Sequence, residues 1–239
     1  MSKLLGYYVD LCHKSRHHET FHYSTVQGYT QETPNVMSIV FAGSNQRIDW
    51  INHLLFAKKQ VPYLGTNKKI KVHSGFISEY LQPQIRNHLH AKVKAYLQEY
   101  PLGKIEVTGH SYGGALTIIC ALDLQYNFPD TVIDCVALAS PRVGNKAFVK
   151  SFDRIMKNYI MIYNGEDIVP SLPPAIFGFR RVTNTVQLNK RKFWPTLGNT
   201  LKYLFLFLVK GLKDPYNIYI LGDHDPKFLD RNYEVKFEN

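Results

Sequence analysis

Short apolar runs alternate with longer amphipathic stretches along this chain. The run "NVMSIVFAGS" reads as a strand from Val36 to Phe41 closing in a turn, and the amphipathic "RIDWINHLLFAKK" follows it. A helix is expected from about Phe76 to Tyr100, ended by Pro101 and Gly103. Ile105 and Val107 mark a buried strand, and Ala115, Leu116, Ile119 and Leu122 recur at helical spacing just after it. "TVIDCVALASP" and "NYIMIYNGEDIVP" predict two further buried strands, closed by Pro141 and by the turn at Gly165. Strands alternating with helices imply an α/β chain with a largely parallel central sheet and right-handed crossovers. The chain has no internal repeat, and its one linker candidate, the polar segment from Asn184 to Thr200, does not separate balanced halves. Residues 1–239 are therefore read as one domain.

The junction "TGHSYGGAL" sets Ser111 between Gly109 and Gly113 where strand gives way to helix. This is the G-x-S-x-G elbow, in which a tight turn lifts a serine hydroxyl above the sheet and the new helix aims N–H groups at it. A serine hydroxyl is a weak nucleophile at neutral pH and needs an imidazole to take its proton and a carboxylate to orient that imidazole. Reactive residues on such a sheet belong at the carboxyl ends of strands, and the partners follow in the order Ser, Asp/Glu, His. Nine of the ten histidines precede Ser111, so His224 in "ILGDHDPKF" is the candidate base. Its neighbours Asp223 and Asp225 would have to fold back on the ring, and are read as shaping the turn. For the acid, Asp167 after "YIMIYN" is preferred because the adjoining "IVP" can anchor its backbone, with Glu166 beside it as the rival. The Tyr112 N–H and Ser44, in the loop after Phe41, are the candidate donors to an oxyanion.

Charge extends this picture outward. Lys and Arg exceed Asp and Glu by 29 to 19, a net +10, which favours anionic surfaces. The charge is scattered, with no basic run interleaved with aromatics, so nucleic acid is not an expected partner. The histidines and cysteines show no metal-ligand spacing, and neither metal nor cofactor is expected. Cys12, Cys120 and Cys135 are odd in number and unpatterned, and "MSKLLGYYVDLCHKSRHHE" lacks a sustained apolar core and a cleavage site. Together these predict an intracellular, reducing setting with free thiols, in the cytoplasm or peripheral to a membrane.

With those residues in view, the chain resembles the class 3 lipases, the fungal-lipase-like branch of the α/β-hydrolases. "VFAGSNQRIDWINHL" is similar to the family's oxyanion loop and lid, "VHSGF" to its pre-helix motif, "GHSYGGAL" to its elbow, "SPRVGN" to the strand end that follows, and "NGEDIVPSLPP" to its acid loop. The resemblance implies an α/β-hydrolase fold with a lid-like helix after the oxyanion strand. It also implies Ser111 as nucleophile, Asp167 as orienting acid, His224 as base, and Ser44 with Tyr112 at the oxyanion hole. Ala42 stands where the family usually has an arginine. Trp50, Ile51, Leu54 and Leu55 would form the apolar face of the lid and meet substrate. In "TLKYLFLFLVKGLK" the apolar run Leu204 to Val209 is too short to span a bilayer, and flanking lysines leave two readings, a core element or an interfacial helix.

The expected activity is hydrolysis of acyl-lipid carboxylic esters through an acyl-enzyme, of triacylglycerol or diacylglycerol lipase or phospholipase A1 type. Peripheral contact with an anionic membrane would accompany it. Acyl transfer or thioester hydrolysis on the same triad is one alternative. A lipid-binding module with a degenerate site is the other.

Overall fold

A computed structural model describes residues 2–15, 21–43, 57–62, 69–165, 167 and 169–188. In chain order the elements are α1 (Ser2–Lys14), β1 (Phe21–Tyr23), β2 (Val26–Glu32), β3 (Val36–Phe41), β4 (Lys58–Gln60), β5 (Lys71–His73), α2 (Ser74–Tyr80) and α3 (Arg86–Glu99). They continue with β6 (Lys104–His110), α4 (Tyr112–Asn127), β7 (Ile133–Leu138), β8 (Gly144–Asn145), α5 (Lys146–Ile155), β9 (Asn158–Tyr163), β10 (Phe179–Arg180) and β11 (Thr185–Gln187). Among the described residues, seven strands form the main sheet in the order β1-β2-β3-β6-β7-β9-β11. From β3 to β11 all neighbours are parallel, and β1 and β2 add an antiparallel edge.

The parallel strands read as apolar runs because both of their faces are covered. Met37, Ile39, Val40 and Phe41 of β3 are fully buried. On one face, α4 is buried along most of its length, from Tyr112 to Leu124, and packs with Phe76, Ile77, Leu89, Val93, Phe148 and Phe152 from the flanking helices. On the other face, Leu5, Tyr8, Val9, Leu11 and Cys12 of α1 cover Val40, Val136, Leu138 and Ile162. The expected α/β architecture with a largely parallel sheet flanked by helices is present. A smaller sheet, β10-β8-β5-β4, was not anticipated.

Two local expectations are corrected. The helix read from Phe76 to Tyr100 is two helices, α2 and α3, with Pro83 in the break. Proline removes a helical N–H donor and pushes the preceding residue out of the helical region, so the chain turns instead, with the Ile85 N–H donating to the Gln82 carbonyl at 2.9 Å. The polar segment read as a linker from Asn184 begins as β11, whose Thr185 pairs with Met161. No helix among the described residues is long and apolar enough to cross a membrane.

The elbow helix is pinned to its neighbours by a buried ionic cluster. Asp123, with no exposed surface, accepts from Arg86 Nε and Nη2 at 2.7 and 2.9 Å, from the Tyr80 hydroxyl at 2.7 Å and from Asn127 Nδ2 at 2.9 Å, with His90 Nε2 also at 2.7 Å. Burial alone would raise the Asp123 pKa, but hydrogen bonds from His90 and Arg86 outweigh it and hold the carboxyl below its ordinary value. Removing one member of a buried pair strands the other charge, so Asp123→Ala is expected to cost about 3 kcal/mol, read as a lower urea midpoint at unchanged slope. Because the folded pKa is depressed, this contribution is present above the unfolded value of about 3.9 and is lost as pH falls through the folded one. The difference between wild type and variant should therefore shrink in acid.

Candidate active site

Ser111 occupies the single residue between β6 and α4. Its backbone sits at φ 60° and ψ −122°, a region that L-residues rarely adopt. Both of its peptide groups are tied down. The Ser111 N–H donates to the Leu138 carbonyl at 2.9 Å, and the Ser111 carbonyl accepts from the Ala115 N–H at 3.2 Å. The turn closes only because its flanks lack side chains. A Cβ on Gly109 would lie 2.6 Å from the Gly113 carbonyl, and one on Gly113 would lie 2.4 Å from the Phe41 carbonyl oxygen. Side chains at either glycine would thus collide with the close packing of β3, β6 and α4 around Ser111.

The parallel register brings the loops expected to carry chemistry to one end of the sheet. His110 pairs with Leu138, and Leu138 with Ile162, so β6, β7 and β9 end on one level. Phe41 pairs with Gly109, which carries the loop after β3 past the elbow: a Cβ on Gly43 would lie 4.0 Å from Ser111 Cβ. Ala42, where an arginine was expected, is buried, and its N–H donates to the Gln27 carbonyl at 2.9 Å. Backbone pairing to β2 therefore anchors the start of the loop without an arginine.

Tyr112 opens α4, and the first N–H groups of a helix have no acceptor within it, so they are available to a bound oxyanion. The Tyr112 side chain plays a packing part. Its ring lies edge-on to Phe76 at 5.8 Å, its hydroxyl is 3.2 Å from Thr25 Oγ1, and burial raises the phenol pKa. Asp167 follows β9 and is 2% exposed. Its N–H donates to the Asn164 carbonyl at 3.1 Å, and its Oδ1 accepts from the Val169 N–H at 2.9 Å. Ser44, Trp50, Ile51, Leu54, Leu55, Glu166, His224 and the apolar run Leu204 to Val209 lie outside the described residues.

Sequence reasoning missed the two arginines that hold the loop carrying Asp167. Arg142 donates through Nη1 to the Ser171 and Pro173 carbonyls and through its own N–H to Leu172. Arg181 donates through Nη2 to the Pro170 carbonyl at 2.6 Å and through Nη1 to the Tyr163 hydroxyl at 2.8 Å, its guanidinium stacked over the Tyr163 ring. Burial first, then the nearby Arg181 and Arg180, bring Arg142 down to about 10, which leaves it charged at neutral pH. The signal for Arg142 was the motif "SPRVGN"; Arg181 left none.

Comparison with known proteins places these features in a family. The sequence profile of the class 3 lipases matches residues 38–177. A lipase of Rhizomucor miehei is 36% identical over 151 residues, covering 62% of this chain and 40% of that protein. The secreted mono- and diacylglycerol lipase 1 of Fusarium solani is 32% identical over 142 residues, covering 59% and 40%. A solved triacylglycerol lipase whose catalytic centre is a serine protease triad superposes with a TM-score of 0.69 at 29% identity, covering 79% of this chain and 80% of that one. The chain thus spans about two fifths of the length of the curated relatives it matches.

The secreted Fusarium solani relative overturns the intracellular setting read from the cysteines and the N-terminal stretch. None of the three forms a disulfide and all are buried, and burial raises the pKa of Cys120 and Cys135, so they behave as core residues and carry no information about compartment. The profile match extends over more than half of the chain and includes the elbow at Ser111, the glycine-lined approach of β3 and the loop around Asp167 that Arg142 holds: the protein belongs to the class 3 lipase family.

Proposed function

We propose that this chain is a serine hydrolase of acyl-lipid esters, its chemistry carried by one α/β-hydrolase domain. The observation that carries the reading is Ser111, held at positive φ at the head of α4 with Gly43 packed beside it and a buried Asp167 after β9, two strands along the sheet. In this reading Ser111 Oγ attacks the ester carbonyl as His224 takes its proton, while Asp167 holds the imidazole in the required tautomer. The tetrahedral oxyanion is met by the Tyr112 N–H and by Ser44. The C–O bond to the alcohol then breaks, His224 returns the proton to the leaving alcohol, and the acyl group remains on Ser111. Water, deprotonated by the same imidazole, releases the carboxylic acid and restores the serine. Trp50, Ile51, Leu54 and Leu55 supply an apolar cover for the acyl chain.

The Rhizomucor miehei and Fusarium solani relatives are named for lipase activity, which supports an acyl glycerol as the substrate class. A fluorophosphonate probe should form one covalent adduct, mapped by peptide mass spectrometry to Ser111. Hydrolysis of p-nitrophenyl esters should persist as the acyl chain lengthens past the micelle point. Activity confined to short soluble esters would replace the lipase reading with a simple esterase, and absence of both adduct and turnover would favour the binding-module alternative.

A further inference from the structure

The small sheet carries a feature that the ester chemistry does not use. A cleft of about 750 Å³ opens between β4, β5, β10 and the start of α5, and its lining includes Lys58, Lys69, Lys71, Lys146, Lys150 and Arg180 but no carboxylate among the described residues. The frame beneath these side chains is fixed. Asn145 Nδ2 donates to the Lys69 carbonyl at 2.8 Å, and Asn145 Oδ1 accepts from the Lys71 N–H at 3.3 Å and from the Phe148 N–H at 2.9 Å, which caps α5. Arg180 pairs with Gly144 in the same sheet. Helix starts favour acidic residues, yet the first turn of α5 has none and Lys146 begins it. Lys58 and Arg180 donate to the Phe177, Ala175 and Phe179 carbonyls, while Lys146 at the positive end of the helix is joined in the cleft lining by the exposed Lys71 and Lys150, a grouping whose mutual repulsion an anion would relieve.

The cleft also lies at the reactive end of the molecule. β7 and β9 are parallel neighbours, so α5 between them must run back along the sheet, and its N-terminus lies level with the carboxyl ends where Ser111 sits. A row of rings joins the two sites: Tyr112 to Phe76 at 5.8 Å, Phe76 to His73 at 4.4 Å, and His73 to Phe179 at 5.9 Å, with Lys58 Nζ 4.4 Å above the Phe179 ring. Beside the cleft, immediately before its Gly178, Ile176 and Phe177 are 77% and 38% exposed. An apolar pair next to a cationic cleft suits a surface that offers anions and hydrocarbon together.

We propose that this cleft docks the protein on anionic phospholipid headgroups, with Ile176 and Phe177 entering the acyl boundary. The choice of a bilayer over other polyanions rests on the proposed lipid-ester activity and on those two side chains, since neither nucleic acid nor free phosphate offers an apolar phase. The test is vesicle flotation of the full chain carrying Ser111→Ala, which removes turnover from the measurement and so separates failure of docking from failure of the hydrolase reading. Binding is expected to vesicles of phosphatidylcholine mixed with phosphatidylserine, to weaken with added salt, and to be much weaker on phosphatidylcholine alone. The exposed-site variant Lys71→Glu/Lys146→Glu/Lys150→Glu should lose about 100-fold in partitioning, roughly fivefold per cation, while in the Ser111 background it hydrolyses a soluble short ester at the wild-type rate. Ile176→Ser should weaken vesicle binding without changing its salt dependence. Vesicle binding that is equal in wild type and charge-reversed protein overturns the proposal, as does a cleft-dependent affinity for duplex DNA or inorganic phosphate with no affinity for vesicles.

Discussion

Ser111→Ala is expected to lower kcat for a soluble ester by about 10⁶-fold, the scale on which loss of a triad nucleophile is felt. The substitution is narrow. Alanine keeps the Cβ and the φ of 60° that serine already tolerates, and it leaves untouched the Ser111 N–H bond to Leu138 and the carbonyl bond from Ala115, so the elbow should stay closed. The expected result is a protein with an unchanged thermal midpoint, no fluorophosphonate adduct, and only the residual rate that oxyanion donors and substrate binding supply without a nucleophile. Hydrolysis within about tenfold of wild type would amount to little more than 1 kcal/mol of transition-state stabilisation and would place the nucleophile elsewhere.

The parts of the fold that could be read in the sequence are those buried on both sides. β3, β6, β7 and β9 lie between two helical layers, so their residues are mostly apolar with few polar interruptions, and "VMSIVF" and "IDCVAL" stand out against the polar stretches around them. The elbow was legible for another reason. Its glycines are demanded because a Cβ at Gly109 or Gly113 would lie under 3 Å from α4 or from the backbone of β3, and such demands leave a fixed spacing in the sequence. The edges were not legible. β2 buries Val26, Gly28 and Tyr29 in no strict alternation, and β4, β5, β8 and β10 are two or three residues long, too short for any period to show. The break at Pro83 was in plain view, but the apolar spacing of Phe76, Ile77 and Tyr80 followed by Leu89, Val93 and Tyr96 keeps a helical appearance across it. Arg142 and Arg181 are the most instructive misses. Each acts by donating to carbonyls that have no side-chain signature, across 29 to 31 residues in the case of Arg142.

Those two arginines bear on the second large effect, at the acid. Asp167→Asn is expected to lower kcat by about 10⁴-fold, about 5.5 kcal/mol of barrier, while Glu166→Gln leaves it within about threefold of wild type. The asparagine is nearly isosteric, and its Oδ1 can still accept the Val169 N–H at 2.9 Å, so the loop that Arg142 and Arg181 hold by its carbonyls should keep its path. What changes is the other end of the side chain. On the proposed triad an amide NH₂ would face the imidazole where the carboxylate accepts its N–H hydrogen bond, and the ring would be held in the tautomer that cannot take the serine proton. The lost rate should return in part at alkaline pH, where hydroxide supplies the base that the ring no longer provides, whereas a loop that had merely come apart would recover at no pH. If Glu166→Gln were the inactive variant and Asp167→Asn the active one, the rigidity observed around Asp167 would be structural and its neighbour would be the triad acid. The bonds of Asp167 to Asn164 and Val169 argue for the first outcome: an orienting acid needs a fixed carboxylate, and the one fixed between these two residues is that of Asp167.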